Sequence, residues 1–445
     1  MHLHGTSRIN RHGRLEIGGV DTAELAETFG TPLYVFDEAL VRERCRQFMA
    51  AFRETGVPFE VSYASKAFCV KAMIRLVEEE GLSLDVVSDG ELYTALEAGF
   101  PAEKIHFHGN NKTPEEIAMG LDANIGCFVV DNFVELRMLN AMAAERGKRV
   151  KALLRITPGI EAHTHEFIST GQEDSKFGFD LGNGTAFQAV QAAIEATHLE
   201  LLGVHSHIGS QIFEVEGFRL AAEKVADFAA DVHARLGYAF KVINLGGGFG
   251  IRYVEGDRPL PVAEYVKAIA EAVKERFGAR GLALPSIWIE PGRSIVGDAG
   301  TTLYTVGSVK DIPGVRKYVA VNGGMTDNPR PALYGAVYEA ALANRATEAP
   351  EETVSIAGKC CESGDMLIWD IALPKVSPGD TLAVFCTGAY NYSMASNYNR
   401  LRRPAVVFVK DGAADLVVRR ETYDDLIAND IVPERLAKMP VAKGK

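Results

Sequence analysis

The chain contains no run of roughly 18 consecutive apolar residues, which excludes a membrane-spanning helix. Its opening, MHLHGTSRINRHGRLEIGG, has no apolar segment behind a basic end and does not read as a secretory signal. Cysteine is scarce: Cys45, Cys69, Cys127, Cys360, Cys361 and Cys386, none in a C-x-x-C pair. That excludes a disulfide framework and a cysteine-rich zinc site, and most of these thiols are expected as small core hydrophobes. Basic residues are also short, 47 Lys and Arg against 59 Asp and Glu, for a net charge of −12. An acidic surface repels a phosphate backbone, so no nucleic-acid partner is expected. These absences together point to a cytoplasmic protein. What remains is ordinary globular composition, 47% hydrophobic and 24% charged over 445 residues, enough for one large domain and a second.

From residue 59 to 290, short β-branched runs alternate with segments of helical spacing. The runs are FEVSYA (59–64), SLDVV (83–87), KIHFH (104–108), GCFVV (126–130), VKALLRI (150–156), LELLGVH (199–205), KVINL (241–245) and PSIWIE (285–290). Counting the amphipathic EALVRERCRQFMAAFRETG before the first run, eight helices accompany eight strands. This α/β pattern fits a closed (β/α)8 barrel, with an open doubly wound sheet as the alternative. After residue 300 the texture changes to strands with few long helices: TLYTVGSVK, KYVAV, TVSIAG, TLAVFC, AVVFVK and DLVVR. The expected organisation is an N-terminal segment (1–35) packing with the β-rich domain, a barrel (36–298) and a C-terminal β-rich domain (299–445). The segment at 159–184 is too long for an ordinary barrel loop and is expected to act as a lid.

Barrel enzymes keep their chemistry at the C-terminal ends of the strands, so the residues there are the candidates. In chain order they are Lys66; Asp85 with Ser88 and Asp89; His106 and His108; Arg155; His205, His207, Gly209, Ser210 and Gln211. Gly246, Gly247, Gly248 and Gly250, then Glu290, Pro291, Gly292 and Arg293, complete the set. A lysine over the barrel mouth, desolvated there, can act as a Schiff-base nucleophile; elsewhere it is an ordinary snorkelling cation. The run LGGGFG lets backbone approach an anion, and with Ser210 and Arg293 it makes a phosphate pocket; alone it also fits a sharp turn. It lacks the G-x-G-x-x-G spacing of a dinucleotide site. Glu290 could cap a turn, or keep a pyridine-type ring nitrogen protonated. His207 could stack on such a ring or be a hydrogen-bonded core histidine. The repeated H-x-H at 106/108, 163/165 and 205/207 offers a competing reading, a zinc-dependent hydrolase, because residues i and i+2 of a strand share a face.

Four of these motifs, YASKA (63–67), HIGSQ (207–211), LGGGFG (245–250) and EPGRS (290–294), resemble those of the alanine-racemase-like, fold-type III pyridoxal phosphate enzymes. The segments GGMTDNPRPALYG (323–335), CESGD (361–365) and GAYNYSMASNYN (388–399) are similar to the members of that family that decarboxylate meso-2,6-diaminopimelate. The likeness runs nearly end to end, including HGTSRIN and LEIGGVDTAELAETFGTPLYVFDE near the start.

The resemblance implies pyridoxal 5′-phosphate as cofactor, no metal, and release of carbon dioxide and L-lysine from the D-configured centre. It implies a Schiff base at Lys66, His207 against the cofactor ring and Glu290 at its nitrogen. Ser210, Gly246, Gly247, Gly248, Pro291, Gly292 and Arg293 would hold the phosphate. Asp85 would line the cofactor site, and Arg155 would lie near the phenolic oxygen. Arg293, Arg330 and Tyr334 would bind substrate, Glu362 its reacting amino group, and Tyr390 both substrate and cofactor. Cys361 would donate the proton. Members of the family are head-to-tail homodimers, so Cys361 and Glu362 would reach into the partner's barrel. One departure is Lys359, where the family often has proline.

Rival readings inside the family are decarboxylases of carboxynorspermidine, ornithine or arginine. Arg330 counts against the last two, whose substrates lack a distal carboxylate. A non-catalytic cofactor-binding barrel is a further alternative, disfavoured by the β-rich domain carrying Cys361 and Tyr390.

Overall fold

The computed structural model describes residues 2–160 and 175–437. Eight parallel strands occupy Phe59–Ala64, Ser83–Val86, Ile105–Phe107, Cys127–Val130, Val150–Thr157, Leu199–His205, Val242–Asn244 and Ser286–Ile289. Each pairs with the next, and the eighth returns to the first, with Ile287 opposite Phe59 and Ile289 opposite Val61. The sheet is therefore a closed barrel and the open-sheet alternative is set aside. Its strands are buried on both faces, which is why they read as near-continuous apolar runs.

Helix Glu38–Thr55 precedes the first strand, and seven helices connect the eight strands. Local chemistry starts them cleanly. Asp37, Ser88, Thr113 and Asn132 each accept a hydrogen bond at a helix N-terminus from their side chains, and Pro114 follows Thr113 in a full capping box. Of the expected lid, only 159–160 and 175–184 are described, including the short strand Phe179–Asp180 beside the fifth barrel strand. Residues 161–174, and with them His163 and His165, lie outside the described residues.

Strand periodicity decides what faces the barrel axis. Towards the C-terminal ends the inward positions turn polar: Asp85, His106, His108, His205, Asn244 and Glu290 are all buried there. The β-rich domain has a separate apolar core, built on the long strand Gly300–Ile312. That strand runs antiparallel to Arg316–Val321, Thr381–Phe385 and Leu33–Asp37.

Two of the strands that were not anticipated bear on how the domains join. Leu33–Asp37 is buried at every position and lies between Gly300–Ile312 and Ala405–Lys410, so the N-terminal segment supplies a central strand of the β-rich domain. It ends at Asp37, which caps the first barrel helix, so one short segment joins both domains. Met366–Leu373 was hidden because its alternation breaks at exposed Trp369 and at Asp370, whose φ is +51°. No helix among the described residues is long and apolar enough to cross a membrane.

Two glycines separate packing from backbone conformation. At Gly203, in the sixth strand, an added Cβ would overlap the Val242 carbonyl oxygen of the seventh; at Gly237, a helix C-cap with φ +66°, it would meet nothing within 4 Å. Gly203→Ala should therefore cost about 2–4 kcal/mol of stability, and Gly237→Ala about 1 kcal/mol from the left-handed backbone alone. Denaturant midpoints of the two variants test this order.

Candidate active site

The polar strand ends open into a cavity of about 740 Å³ between the barrel mouth and the β-rich domain. Lys66 sits in the single turn Ser65–Ala67 that follows the first strand. The turn is held from two sides: Ser65 Oγ donates to the Asp85 carbonyl at 2.6 Å, and the Tyr390 N–H donates to the Ala67 carbonyl at 2.9 Å. Lys66 is exposed and lines the cavity, where the sequence reading expected a desolvated amine. Tyr390 makes that bond from a left-handed φ of +59°, a strained backbone beside Lys66.

Glu290 follows the eighth strand and is 8% exposed, deep in the cavity wall. Its Oε2 lies 2.9 Å from His205 Nε2, and its Oε1 lies 3.1 Å from His108 Nε2. Asn244 Nδ2 donates to Oε1 at 2.5 Å, while Asn244 Oδ1 accepts the Gly246 N–H at 2.9 Å. Burial alone would push the carboxyl up, but His108 and His205 outweigh it and hold Glu290 well below the usual carboxylate range. His205 itself is driven down to about 4, first by burial. His108 is raised in spite of its burial, because Glu290 and Asp85 both favour its charged form. Behind it, His106 stacks on Trp288 at 4.7 Å and lies 3.0 Å from Glu60 and 3.4 Å from Asp85. Against the cost of burial, Asp85 and Glu60 push it up to about 10.

His108, His205 and Glu290 also present ligand atoms within 4.8 Å of one another, close enough for a metal ion. The zinc reading thus meets a real cluster, although its histidines come from different strands and not from one H-x-H pair. His106 turns instead to Glu60 and Asp85, and His207 to the glycine run, so neither H-x-H pair converges as a unit.

The glycine run packs against its neighbours so closely that side chains are excluded. A Cβ on Gly247 would overlap the Glu290 carbonyl oxygen, and one on Gly246 would lie 2.5 Å from the Ser206 carbonyl oxygen. The Gly247 N–H donates to His207 Nδ1 at 3.3 Å, which puts the proton of the neutral ring on Nε2. Burial, reinforced by Lys66, keeps His207 well below its ordinary value and so uncharged. Arg293 donates from Nη2 to Ser210 Oγ at 3.0 Å and from Nη1 to the Tyr253 hydroxyl at 2.5 Å. Beside it, the buried Ser294 Oγ has no hydrogen-bond partner among the described residues.

This donor set fits pyridoxal phosphate. It offers an amine for an aldehyde, an ionised carboxylate for a ring nitrogen, a flat neutral imidazole, and a glycine, serine and arginine cradle for a phosphate. Three guanidinium groups complete the cavity. Arg155 lies 4.1 Å above the Phe177 ring, Arg293 4.9 Å from the Tyr390 ring, and Arg330 donates to the Tyr338 hydroxyl at 2.7 Å. None of the three makes an ion pair among the described residues, so their charge is left for anions in the cavity.

Asp85, Arg155, His207, Ser210, Gly247, Gly248, Glu290, Gly292, Arg293, Arg330, Tyr334 and Tyr390 all line this one cavity with Lys66. Gly246 and Pro291 adjoin it in the same turns. Cys361 and Glu362 do not line it; Cys361 is on the outer surface of the β-rich domain, with its N–H bound by Asn399 Oδ1 at 2.7 Å. Sequence reasoning missed Asn244, Tyr253 and Tyr338. Asn244 is at an inward position of KVINL and was recoverable from strand period; the two tyrosines carried no signal.

The architecture and donor set define a barrel enzyme built for a phosphorylated, aldehyde-bearing cofactor. A family model described as "Pyridoxal-dependent decarboxylase, pyridoxal binding domain" matches residues 38–297. The diaminopimelate decarboxylase of Bacillus subtilis is 64% identical over 431 residues, covering 97% of this chain and 98% of the relative. That of Staphylococcus aureus is 50% identical over 426 residues, covering 96% and 99%. The crystal structure of diaminopimelate decarboxylase from M. jannaschii in co-complex with L-lysine superposes with a TM-score of 0.91 at 41% identity, covering 97% of this chain and 99% of that one. The chain belongs to the pyridoxal-dependent decarboxylases and, within them, to the diaminopimelate decarboxylase family.

The histidines predict opposite pH limbs of stability. His106 keeps its proton to about 10 against an ordinary 6.5, so its contribution is complete below about 6.5 and is lost as pH climbs towards 10. His205, lowered to about 4, contributes fully above about 6.5 and loses that contribution as pH falls towards 4. His106→Gln should flatten the alkaline decline between pH 7 and 10 and leave the acid limb in place, read from denaturant midpoints across pH.

Proposed function

We propose that this chain removes the carboxylate at the D-configured centre of meso-2,6-diaminopimelate, giving carbon dioxide and L-lysine. The observation that carries the reading is three buried or cavity-lining arginines without carboxylate partners, facing the same cavity as Lys66 and an ionised Glu290. Those charges exceed what one phosphate needs, and a substrate with a second, distal carboxylate uses the surplus. Arg330, on the β-rich side, is the natural partner for it.

Bound pyridoxal phosphate supplies an electron sink for the pair left behind when the carboxylate departs. The protein's residues divide the rest. Lys66 would provide the amine that tethers the aldehyde. Glu290, kept ionised by His108, His205 and Asn244, holds a proton on the ring nitrogen, so its effect falls chiefly on the transition state. His207 presents a neutral face to the ring. Ser210, the glycine run and Arg293 would anchor the phosphate, and Arg155 would serve the ring's phenolic oxygen.

The expected proton donor, Cys361, does not line this chain's own cavity. A head-to-tail homodimer in which Cys361 and Glu362 enter the partner's cavity supplies the donor and a reader of the substrate's amino group. One donor on one face delivers one stereochemical outcome.

Purified protein with pyridoxal phosphate should release carbon dioxide and L-lysine from meso-diaminopimelate; absence of lysine would sink the reading. Lys66→Ala should lose turnover and the pyridoxyl group that borohydride fixes on the Lys66 peptide, read by mass. Cys361→Ala should keep that group and turn over slowly. Arg330→Gln should cut kcat/KM for meso-diaminopimelate by about 10²-fold without improving turnover of ornithine or arginine by the same factor. Equal losses on all substrates would deny Arg330 its role in specificity.

A further inference from the structure

Asp365, the last residue of CESGD, plays no part in the reaction described above. It is 3% exposed and does not line the cavity. Its two carboxylate oxygens are shared between two loops. Oδ1 accepts the Met325 N–H at 2.6 Å, in the loop that leads to Arg330. Oδ2 accepts the Cys360 N–H at 2.8 Å, immediately before Cys361 and Glu362.

The junction is built around that carboxylate. A Cβ on Gly324 would lie 2.6 Å from Oδ1, and one on Gly358 would overlap the carboxylate outright. Backbone bonds run alongside it: the Gly358 N–H donates to the Asp365 carbonyl and the Lys359 N–H to the Gly323 carbonyl, both at 2.9 Å. A proline at position 359 could not make the second of these. A third loop, which carries the cavity residue Tyr390, closes the triangle. The Ser396 N–H donates to the Thr326 carbonyl at 2.9 Å, and Asn399 Oδ1 holds the Cys361 N–H at 2.7 Å.

We propose that Asp365 is a positioning residue that serves both half-sites of the dimer at once: one carboxylate sets Arg330 in its own chain's cavity and Cys361 with Glu362 in the partner's. The inference rests on the shared-site reading given above. The two N–H donors, one from each loop, approach different oxygens of the one carboxylate. A carboxylate supplies both, whereas an asparagine amide offers one oxygen and turns an N–H towards the other donor.

Mixed dimers of the holoenzyme separate the two duties. One chain carries Lys66→Ala and the other Cys361→Ala, so the one working site joins the second chain's cavity to the first chain's Cys361. Asp365→Ala on the Lys66→Ala chain disturbs only the donated loop; kcat should fall about tenfold with a larger solvent isotope effect. The same change on the Cys361→Ala chain disturbs only the Arg330 loop; KM for meso-diaminopimelate should rise about tenfold with kcat near the parent pair. Parent kinetics from either placement, or the same parameter shifted from both, would overturn the proposal. If Asp365→Ala does not assemble, Asp365→Asn releases at least one loop, and parent kinetics from both of its placements would overturn it equally. An inactive parent pair would instead take down the shared site itself, and the proposal with it.

Discussion

The structure turns on a buried negative charge. Glu290 sits where the eighth strand meets the first, and an isolated carboxylate there would protonate instead of remaining ionised. It stays charged because barrel closure brings His108 from the third strand, His205 from the sixth and Asn244 from the seventh within hydrogen-bond reach. The compensation continues inward through Asp85 and His106 to Glu60, so carboxylates and imidazoles alternate along the barrel axis. A ring nitrogen can be kept protonated only by a group whose own charge is secured in this way. The polar interior of the barrel is therefore part of the chemistry, and the apolar outer faces of the strands bear the packing.

The opposite sign is supplied from both sides of the cavity, by Arg155 and Arg293 on the barrel rim and by Arg330 across from them. Arg330 comes from the β-rich domain and leans on Tyr253 and Tyr338, and Arg293 shares Tyr253 and Ser210. Aromatic rings and hydroxyls orient these guanidinium groups without neutralising them, which leaves their charge for a phosphate and a distal carboxylate. On the proposed function, the barrel would hold the reacting end and the β-rich domain would sense the far end. Strand Leu33–Asp37 makes the arrangement rigid, since it pairs in the centre of the β-rich sheet and then caps the first barrel helix.

Much of the fold was legible because barrel strands and their helices are local patterns. The eight apolar runs, the alternation with helical spacing and the capping residues each depend on a few neighbours in sequence. Leu33–Asp37 was not legible as a sheet member, because its partners are contributed by strands beginning at Gly300 and Ala405. Met366–Leu373 was hidden by a bulged register that breaks the two-residue period. In the site, Lys66, Glu290 and the glycine run announced themselves by position after a strand. His108 was noticed for the wrong chemistry, and Tyr253 and Tyr338 were invisible.

By itself, the amino-acid order determined which residue types stand at the strand ends, and through near end-to-end motifs it determined the family. Those properties are carried by short segments and survive without any knowledge of the rest of the chain. Only the tertiary structure decided that His108, His205 and Asn244 converge on one carboxylate, that three arginines are left without ion-pair partners among the described residues, and that Cys361 does not line its own chain's cavity. Each of these depends on the distance between residues far apart in the chain. Electrostatics in a dry interior responds to such distances steeply, and no local pattern encodes them.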